Sequence, residues 1–195
     1  MGRETEARPV RYAGRARAEV SFEFRVSSQS ARRALVALGS NLGDSAMILR
    51  QAMERLAHFS VTTLLRSSLW LSTPVDCPPG SPRFVNAVVA FSPRPDETPE
   101  SLLVKLQQIE IEFGRRPRKI QNEPRSLDLD LVAFGAEVRA TAKLTLPHPR
   151  AHLRRFVLQP LSEIAPDLVL AGQTKTVQQL LASLRTDEIL SRVQS

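Results

Sequence analysis

Cysteine is almost missing from this sequence: Cys77 is the one thiol in 195 residues. A single cysteine closes no internal disulfide and builds no Cys-rich zinc site, so the chain suits a reducing compartment. Histidine is nearly as scarce, with three in all, which argues against a His-based metal centre. Aromatic residues make up only 5%, few for a surface that stacks nucleic-acid bases. No apolar run approaches the roughly 18–20 residues of a transmembrane helix. The first residues carry Arg and Glu where a signal peptide carries an apolar core, so the expected location is the cytoplasm. What is present is ordinary for a globular chain. The 42% hydrophobic and 24% charged residues suffice for one core at this length and exclude a wholly disordered chain.

The net charge of +7 is unevenly placed. Residues 1–33 hold eight Arg against four Glu, and the remainder holds 19 basic against 16 acidic residues. A body so close to balance does not call for a polyanionic partner, whereas its local cluster Arg115-Arg116-Pro117-Arg118-Lys119 can hold a small phosphorylated ligand. Neither a nucleic acid nor a membrane is expected as a partner.

Residues 1–18 are polar and lack apolar periodicity, and Val20–Val26 alternates with period two, as a short edge strand does. Residues 1–32 therefore read as a basic N-terminal extension and 33–195 as the folded domain. Ala34–Leu38 reads as a strand ending in the turn Gly39-Ser-Asn-Leu-Gly43. Asp44 or Ser45 then caps a helix carrying Leu49, Ala52, Met53 and Leu56. Val61–Trp70 and Phe84–Phe91 read as strands flanking a Pro-rich loop. Thr98-Pro99-Glu100 opens a helix that Gly114 stops, and Ser126–Phe134 is a further strand. Helices are expected at Arg154–Ile164 and through Val177–Ile189. Two strand–helix–strand units with directly joined central strands predict an α+β sandwich: a mostly antiparallel sheet with helices on one face.

The sharpest local feature is Ser126-Leu127-Asp128-Leu129-Asp130-Leu131. On a strand Asp128 and Asp130 share a face, with Cα atoms about 6.5–7 Å apart, and the leucines take the other. By itself this is also the pattern of an amphipathic strand with a solvated acidic face. Paired carboxylates repel unless a cation lies between them, and all-oxygen ligands suit Mg²⁺ bridged to substrate phosphates. Arg125 immediately upstream, and the basic loop before it, supply guanidinium forks that match phosphate oxygens. Neither a P-loop nor a Gly-x-Gly-x-x-Gly fingerprint occurs.

Several short motifs occur in one order: Ala37-Leu-Gly-Ser-Asn-Leu-Gly43, Ser72-Thr-Pro74, Arg83-Phe-Val-Asn-Ala-Val88, Gln107-Gln-Ile-Glu110, Phe113-Gly-Arg115, Pro124-Arg-Ser-Leu-Asp-Leu-Asp130, Leu146-Pro-His-Pro149 and Phe156-Val-Leu-Gln-Pro-Leu161. Across about residues 34–170 the chain resembles the 6-hydroxymethyl-7,8-dihydropterin pyrophosphokinases of folate biosynthesis. The resemblance implies a ferredoxin-like α+β sandwich and a diphosphotransferase. That enzyme moves the terminal pyrophosphate of ATP to the hydroxymethyl group of a reduced pterin and releases AMP. It further implies two Mg²⁺ ions on Asp128 and Asp130, and phosphate contacts from Arg115 and Arg125. Gln107, Glu110, Arg118, Lys143, Thr145, His148 and Arg154 match ATP-side positions. Thr73, Pro74, Phe84, Asn86, Asn122 and Phe156 match the pterin site. Gln121 and Glu123 depart from the usual pattern of the loop. Two other classes compete with this one. A ferredoxin-like RNA-binding module would need the aromatic signature that is missing here, and a weakly active pterin-binding paralogue would have Glu123 as its mark. Contact with other folate-pathway enzymes stays open.

Overall fold

The computed structural model describes residues 32–115 and 123–194. The expected edge strand Val20–Val26 and the loop positions Arg118 and Asn122 lie outside these. Eight strands and four α-helices follow one another among the described residues: β1 (Ala34–Ser40), α1 (Ser45–Ala57), β2 (Leu65–Arg66), β3 (Trp70–Ser72), β4 (Phe84–Phe91), α2 (Pro99–Glu112), β5 (Asp128–Phe134), β6 (Arg139–Ala140), β7 (Thr145–Leu146), α3 (Arg155–Ile164), α4 (Val177–Ser183) and β8 (Leu190–Arg192). The main sheet runs β5-β1-β4-β3-β8, every pair antiparallel, and β2 joins β4 beyond the end of β3. Strands β6 and β7 form a separate hairpin.

The helix starts obey local chemistry. Asp44 accepts from the Met47 amide (3.0 Å) and caps α1. Thr98 and Ser101 exchange side-chain-to-backbone bonds in a capping box ahead of Pro99, which fixes the start of α2. Gly114, at φ +85°, ends that helix in a backbone conformation that L side chains rarely adopt.

Helices cover both faces of the sheet, which corrects the one-face expectation. Leu49, Leu56, Leu102 and Leu106 pack on Val36, Leu38, Val89 and Leu131, giving the first layer. Val157, Leu158, Leu161 and Val177 pack on Leu35, Ala37, Val88 and Val132, giving the second. Apart from Phe84 at its start, every residue of β4 is buried, as in a strand apolar on both sides. Neither the short α3 nor α4 advertises a partner in its own sequence.

Two further expectations change. The strand expected over Val61–Trp70 is broken into β2 and the start of β3. At Ser67 the hydroxyl, rather than a main-chain carbonyl, accepts from the Val88 amide (2.9 Å), which interrupts the ladder. The last helix ends at Ser183 instead of reaching Ile189, because the chain turns there and pairs Leu190–Arg192 with β3. Strand β5 carries one extra residue. Val36 pairs with Leu131 but Leu35 with Ala133, so Val132 and Ala133 both bury toward the second layer.

Arg32 is seated on the domain although the expected boundary assigns it to the extension. Its guanidinium donates to the Glu97 carbonyl (2.6 Å) and lies 5.5 Å from the Phe134 ring centre.

Candidate active site

On the second-layer face, positions 37 and 39 of β1, 84 and 86 of β4 and 128 and 130 of β5 lie toward one end of the sheet. A cavity of about 260 Å³ opens there, floored by Ala37 and Gly39. A side chain at Gly39 would start 3.5 Å from Asn86 Oδ1 and 3.9 Å from the Phe84 ring. Glycine therefore leaves room directly over the floor. The loop after β3 and the start of α3 supply the facing walls.

One half of the cavity is suited to a flat polar ring. Phe84 and Phe156 line it, with Thr73 and Asn86. Asn86 is 4% exposed, and its Nδ2 donates to Ser72 Oγ (2.8 Å), with the Trp70 and Phe84 carbonyls each 3.5 Å away. Three acceptors around Nδ2 leave Oδ1 as the atom turned toward the floor at Gly39. The site thus offers a hydrogen-bond acceptor to the edge of a ligand.

The other half is charged. Arg125, Asp128, Asp130, His148, Arg150 and Arg154 line it. Arg125 Nη1 donates to Asp128 Oδ1 at 2.9 Å, while its Nε is buried with no partner among the described residues. Arg154 lies 3.7 Å from Asp130 Oδ2, with its guanidinium 5.3 Å from the Phe156 ring centre. Burial pushes the His148 imidazole below its ordinary pKa, despite the opposing charge of Asp130. Its Nδ1 accepts from the Arg150 amide at 3.3 Å. A neutral ring so held carries its proton on Nε2. The His148 amide bonds the Val132 carbonyl (2.8 Å), so the β5 bulge also anchors this loop.

Arg115 and Glu110 stand behind the acidic pair. Glu110 is 2% exposed; its carboxylate accepts from the Leu129 amide (2.8 Å) and pairs with Arg115, which lies 3.6 Å from Asp128. Burial pushes the Glu110 carboxyl up to about 7, against the pull of the Leu129 amide and Arg115. Its contacts are with the protein rather than the cavity. Gln107 on α2, Lys143 before β7 and Thr145 on β7 are exposed, and none of them, nor Pro74, lines the cavity.

Sequence reasoning missed the residues that hold this site in place. Asn41 brackets Arg125: its amide donates to the Arg125 carbonyl (3.1 Å), and its Oδ1 accepts from the Arg125 amide (2.8 Å). A buried Asn within Gly39-Ser-Asn-Leu-Gly43 was the available signal, since such a group requires a partner. Ser72 sits opposite Phe84 and was readable only once register was known. Among the described residues no group of three or more His, Cys, Asp or Glu converges as a metal cage. A cation here would rest on two carboxylates plus oxygens from a ligand, which fits Mg²⁺ far better than zinc.

The model of the 7,8-dihydro-6-hydroxymethylpterin-pyrophosphokinase family matches residues 35–166. The Synechocystis 2-amino-4-hydroxy-6-hydroxymethyldihydropteridine pyrophosphokinase is 39% identical over 153 residues, covering 78% of this chain and 76% of its own. The enzyme of the same name from Haemophilus influenzae is 41% identical over 150 residues, covering 75% and 91%. The wild-type Plasmodium falciparum HPPK-DHPS with pteroate superposes with a TM-score of 0.61 at 14% identity. It covers 77% of this chain and 42% of that longer one, a likeness of fold alone. Together with the α+β antiparallel architecture, these matches place the sequence in one group: the chain belongs to the 7,8-dihydro-6-hydroxymethylpterin-pyrophosphokinase family.

Proposed function

We propose that this protein transfers pyrophosphate from ATP to the hydroxymethyl group of 6-hydroxymethyl-7,8-dihydropterin, releasing AMP, as a cytoplasmic step of folate biosynthesis. One observation carries the reading. A ring-sized cleft with an acceptor on its floor adjoins paired carboxylates and arginines in the same cavity.

The ring half orients the pterin. Phe84 and Phe156 flank the heterocycle, Asn86 Oδ1 accepts from its N–H edge and Thr73 fixes the loop over it. The hydroxymethyl group then faces the charged half. Its oxygen forms a bond to the β-phosphorus as the bond from that phosphorus to the AMP oxygen breaks in line. The hydroxyl proton leaves to solvent. Asp128 and Asp130 are the residues that would hold Mg²⁺, which when bound supplies neutralisation of the triphosphate oxygens. Arg125 and Arg115 pair with acidic side chains here and are the donors for the phosphates, each guanidinium matching two oxygens. His148 Nε2 donates to a phosphate oxygen, and Arg154 joins the halves by stacking on Phe156 beside Asp130. Little covalent help is required of the protein in such a transfer, and positioning and charge do the rest.

The deciding experiment supplies ATP, Mg²⁺ and the reduced pterin and measures AMP. Pterin-dependent AMP, equimolar with pterin diphosphate, is the expected result. ADP as product, or ATP cleavage indifferent to pterin, would end this reading.

A further inference from the structure

Helix α3 begins without a local cap. Its N-cap position is Arg154, whose side chain has no lone pair to give, and no side-chain cap bond forms there. That side chain is instead spent on the cavity, beside Asp130 and over Phe156. The first-turn amide of Phe156 is nonetheless satisfied, by a residue 32 positions further on: it donates to Glu188 Oε2 at 3.0 Å. Glu188 is 6% exposed. The Arg155 guanidinium donates to its carbonyl at 3.4 Å, and the Thr186 hydroxyl accepts from its amide at 3.2 Å, which turns the side chain inward. A carboxylate at a helix start also meets the positive end of the helix dipole. Burial pushes this carboxyl's pKa up while the Phe156 amide pulls it back.

The next residue grips the opposite wall. The Ile189 amide donates to Thr73 Oγ1 (3.2 Å), and the Thr73 amide donates to the Ile189 carbonyl (3.2 Å). Beyond it β8 pairs with β3, Ser72 lying opposite Leu190. Two adjacent residues therefore bind both sides of the ring half of the cavity: Phe156 on α3 and Thr73 on the loop after β3. The segment lies beyond residues 35–166, where the family model matches.

We propose that Glu188 is a positioning residue for the heterocycle: with Ile189 it latches the Phe156 and Thr73 walls at their binding separation. This role rests on the pterin-binding reading above. Releasing the latch acts chiefly on the ring half: in the phosphate half Asp128, Arg125 and Asn41 form their own bonds elsewhere, and Arg154, which shares the helix start, has its own contact with Asp130.

The test compares Glu188→Ala, Glu188→Gln and Glu188→Asp with the parent chain. Glutamine keeps an oxygen acceptor at the same reach. Aspartate keeps the charge but falls short by one methylene. The alanine and aspartate variants should raise the pterin KM about five- to twentyfold, with ATP KM and kcat within about twofold, and glutamine should restore the parent value. Exchange of the Phe156 amide with solvent, followed without substrates, should quicken in the same two variants and stay slow with glutamine. An unchanged pterin KM in folded Glu188→Ala or Glu188→Asp overturns the latch. So does a loss shared equally by ATP and pterin, or failure of glutamine to restore. Should the alanine variant not fold, the aspartate variant decides alone. A parent chain that makes no pterin-dependent AMP removes the functional reading instead, and the exchange of the Phe156 amide still decides whether Glu188 caps α3.

Discussion

The two helical layers of this domain are secured differently. In the first, α1 and α2 start on caps within their own turn, Asp44 for Met47 and Thr98 with Ser101, and their leucines seal the sheet. In the second, α4 likewise caps itself, Thr176 with Gln179, but α3 starts on a carboxylate from the far end of the chain, and its first residues wall the cavity. The contrast teaches where long-range contacts are used. A helix that only packs can be capped by its own sequence. A helix whose first residues face a ligand gives those side chains to the ligand and borrows its cap.

The largest way to sharpen this contrast is to remove a carboxylate from the open layer. Asp128→Ala and Asp130→Ala should each lower turnover at least 100-fold, about 3 kcal/mol of transition-state stabilisation, while the thermal midpoint holds in Asp130→Ala and falls modestly in Asp128→Ala, which leaves Arg125 without its 2.9 Å partner. Steady-state kinetics beside a melting curve reads both, and near-parent turnover in both variants would remove the metal assignment. The converse change strikes the sealed layer. Leu106→Ala, at 0% exposure, should cost about 2–5 kcal/mol in denaturant unfolding and leave the pterin KM of the folded fraction unchanged.

Glu110 joins the layers and gives a pH signature. Its folded-state pKa of about 7 lies above the ordinary carboxylate value. Its contribution is therefore complete below the unfolded value and is lost as pH rises through about 7. Glu110→Gln keeps the acceptor for Leu129 and removes the charge. Its stability relative to the parent should climb between about pH 4.5 and 7, by on the order of 1–3 kcal/mol. Melts without nucleotide test this, and a difference that stays flat with pH would dissociate Glu110 from the effect.

Smaller effects follow at the periphery. Thr98→Ala should cost about 1 kcal/mol through the lost cap, with activity intact. Deleting residues 1–31 should leave kcat and both KM values within about twofold, since every site residue lies later and Arg32, seated on Glu97 and Phe134, is kept. A folded truncation without activity would bring the extension into the site.

Legibility in the sequence followed the range of the interactions. Strand β4 and the start of α2 were readable because apolar pattern and capping residues lie within a few positions. The second layer was not, since the apolar stripe of α3 does not state which face of the sheet receives it. The strand break at Ser67 and the turn into β8 depend on partners across the sheet, Val88 and β3. Within the site, Asp128 and Asp130 announced themselves by alternation beside Arg125, and Asn86 by its place in the motif Arg83-Phe-Val-Asn-Ala-Val88. Their keepers did not: Asn41 meets Arg125 across 84 residues, Ser72 meets Asn86 across 14, and Glu188 meets Phe156 across 32.

The extra residue in β5 has a consequence for how this strand can vary. In an unbroken strand, positions 128, 130, 132 and 134 share one parity, and Phe134 would point with the carboxylates. Val132 resets that phase, so Phe134 enters the first layer while Asp128 and Asp130 stay on the second. Deleting Val132 would restore strict alternation and leave both ends on their present faces, Ala133 still opposite Leu35 and Phe134 still opposite Ala34. What the extra residue secures is therefore not the direction of either end but the Val132 carbonyl that holds the His148 amide. A straightened β5 would keep its two layers and let go of the cavity loop.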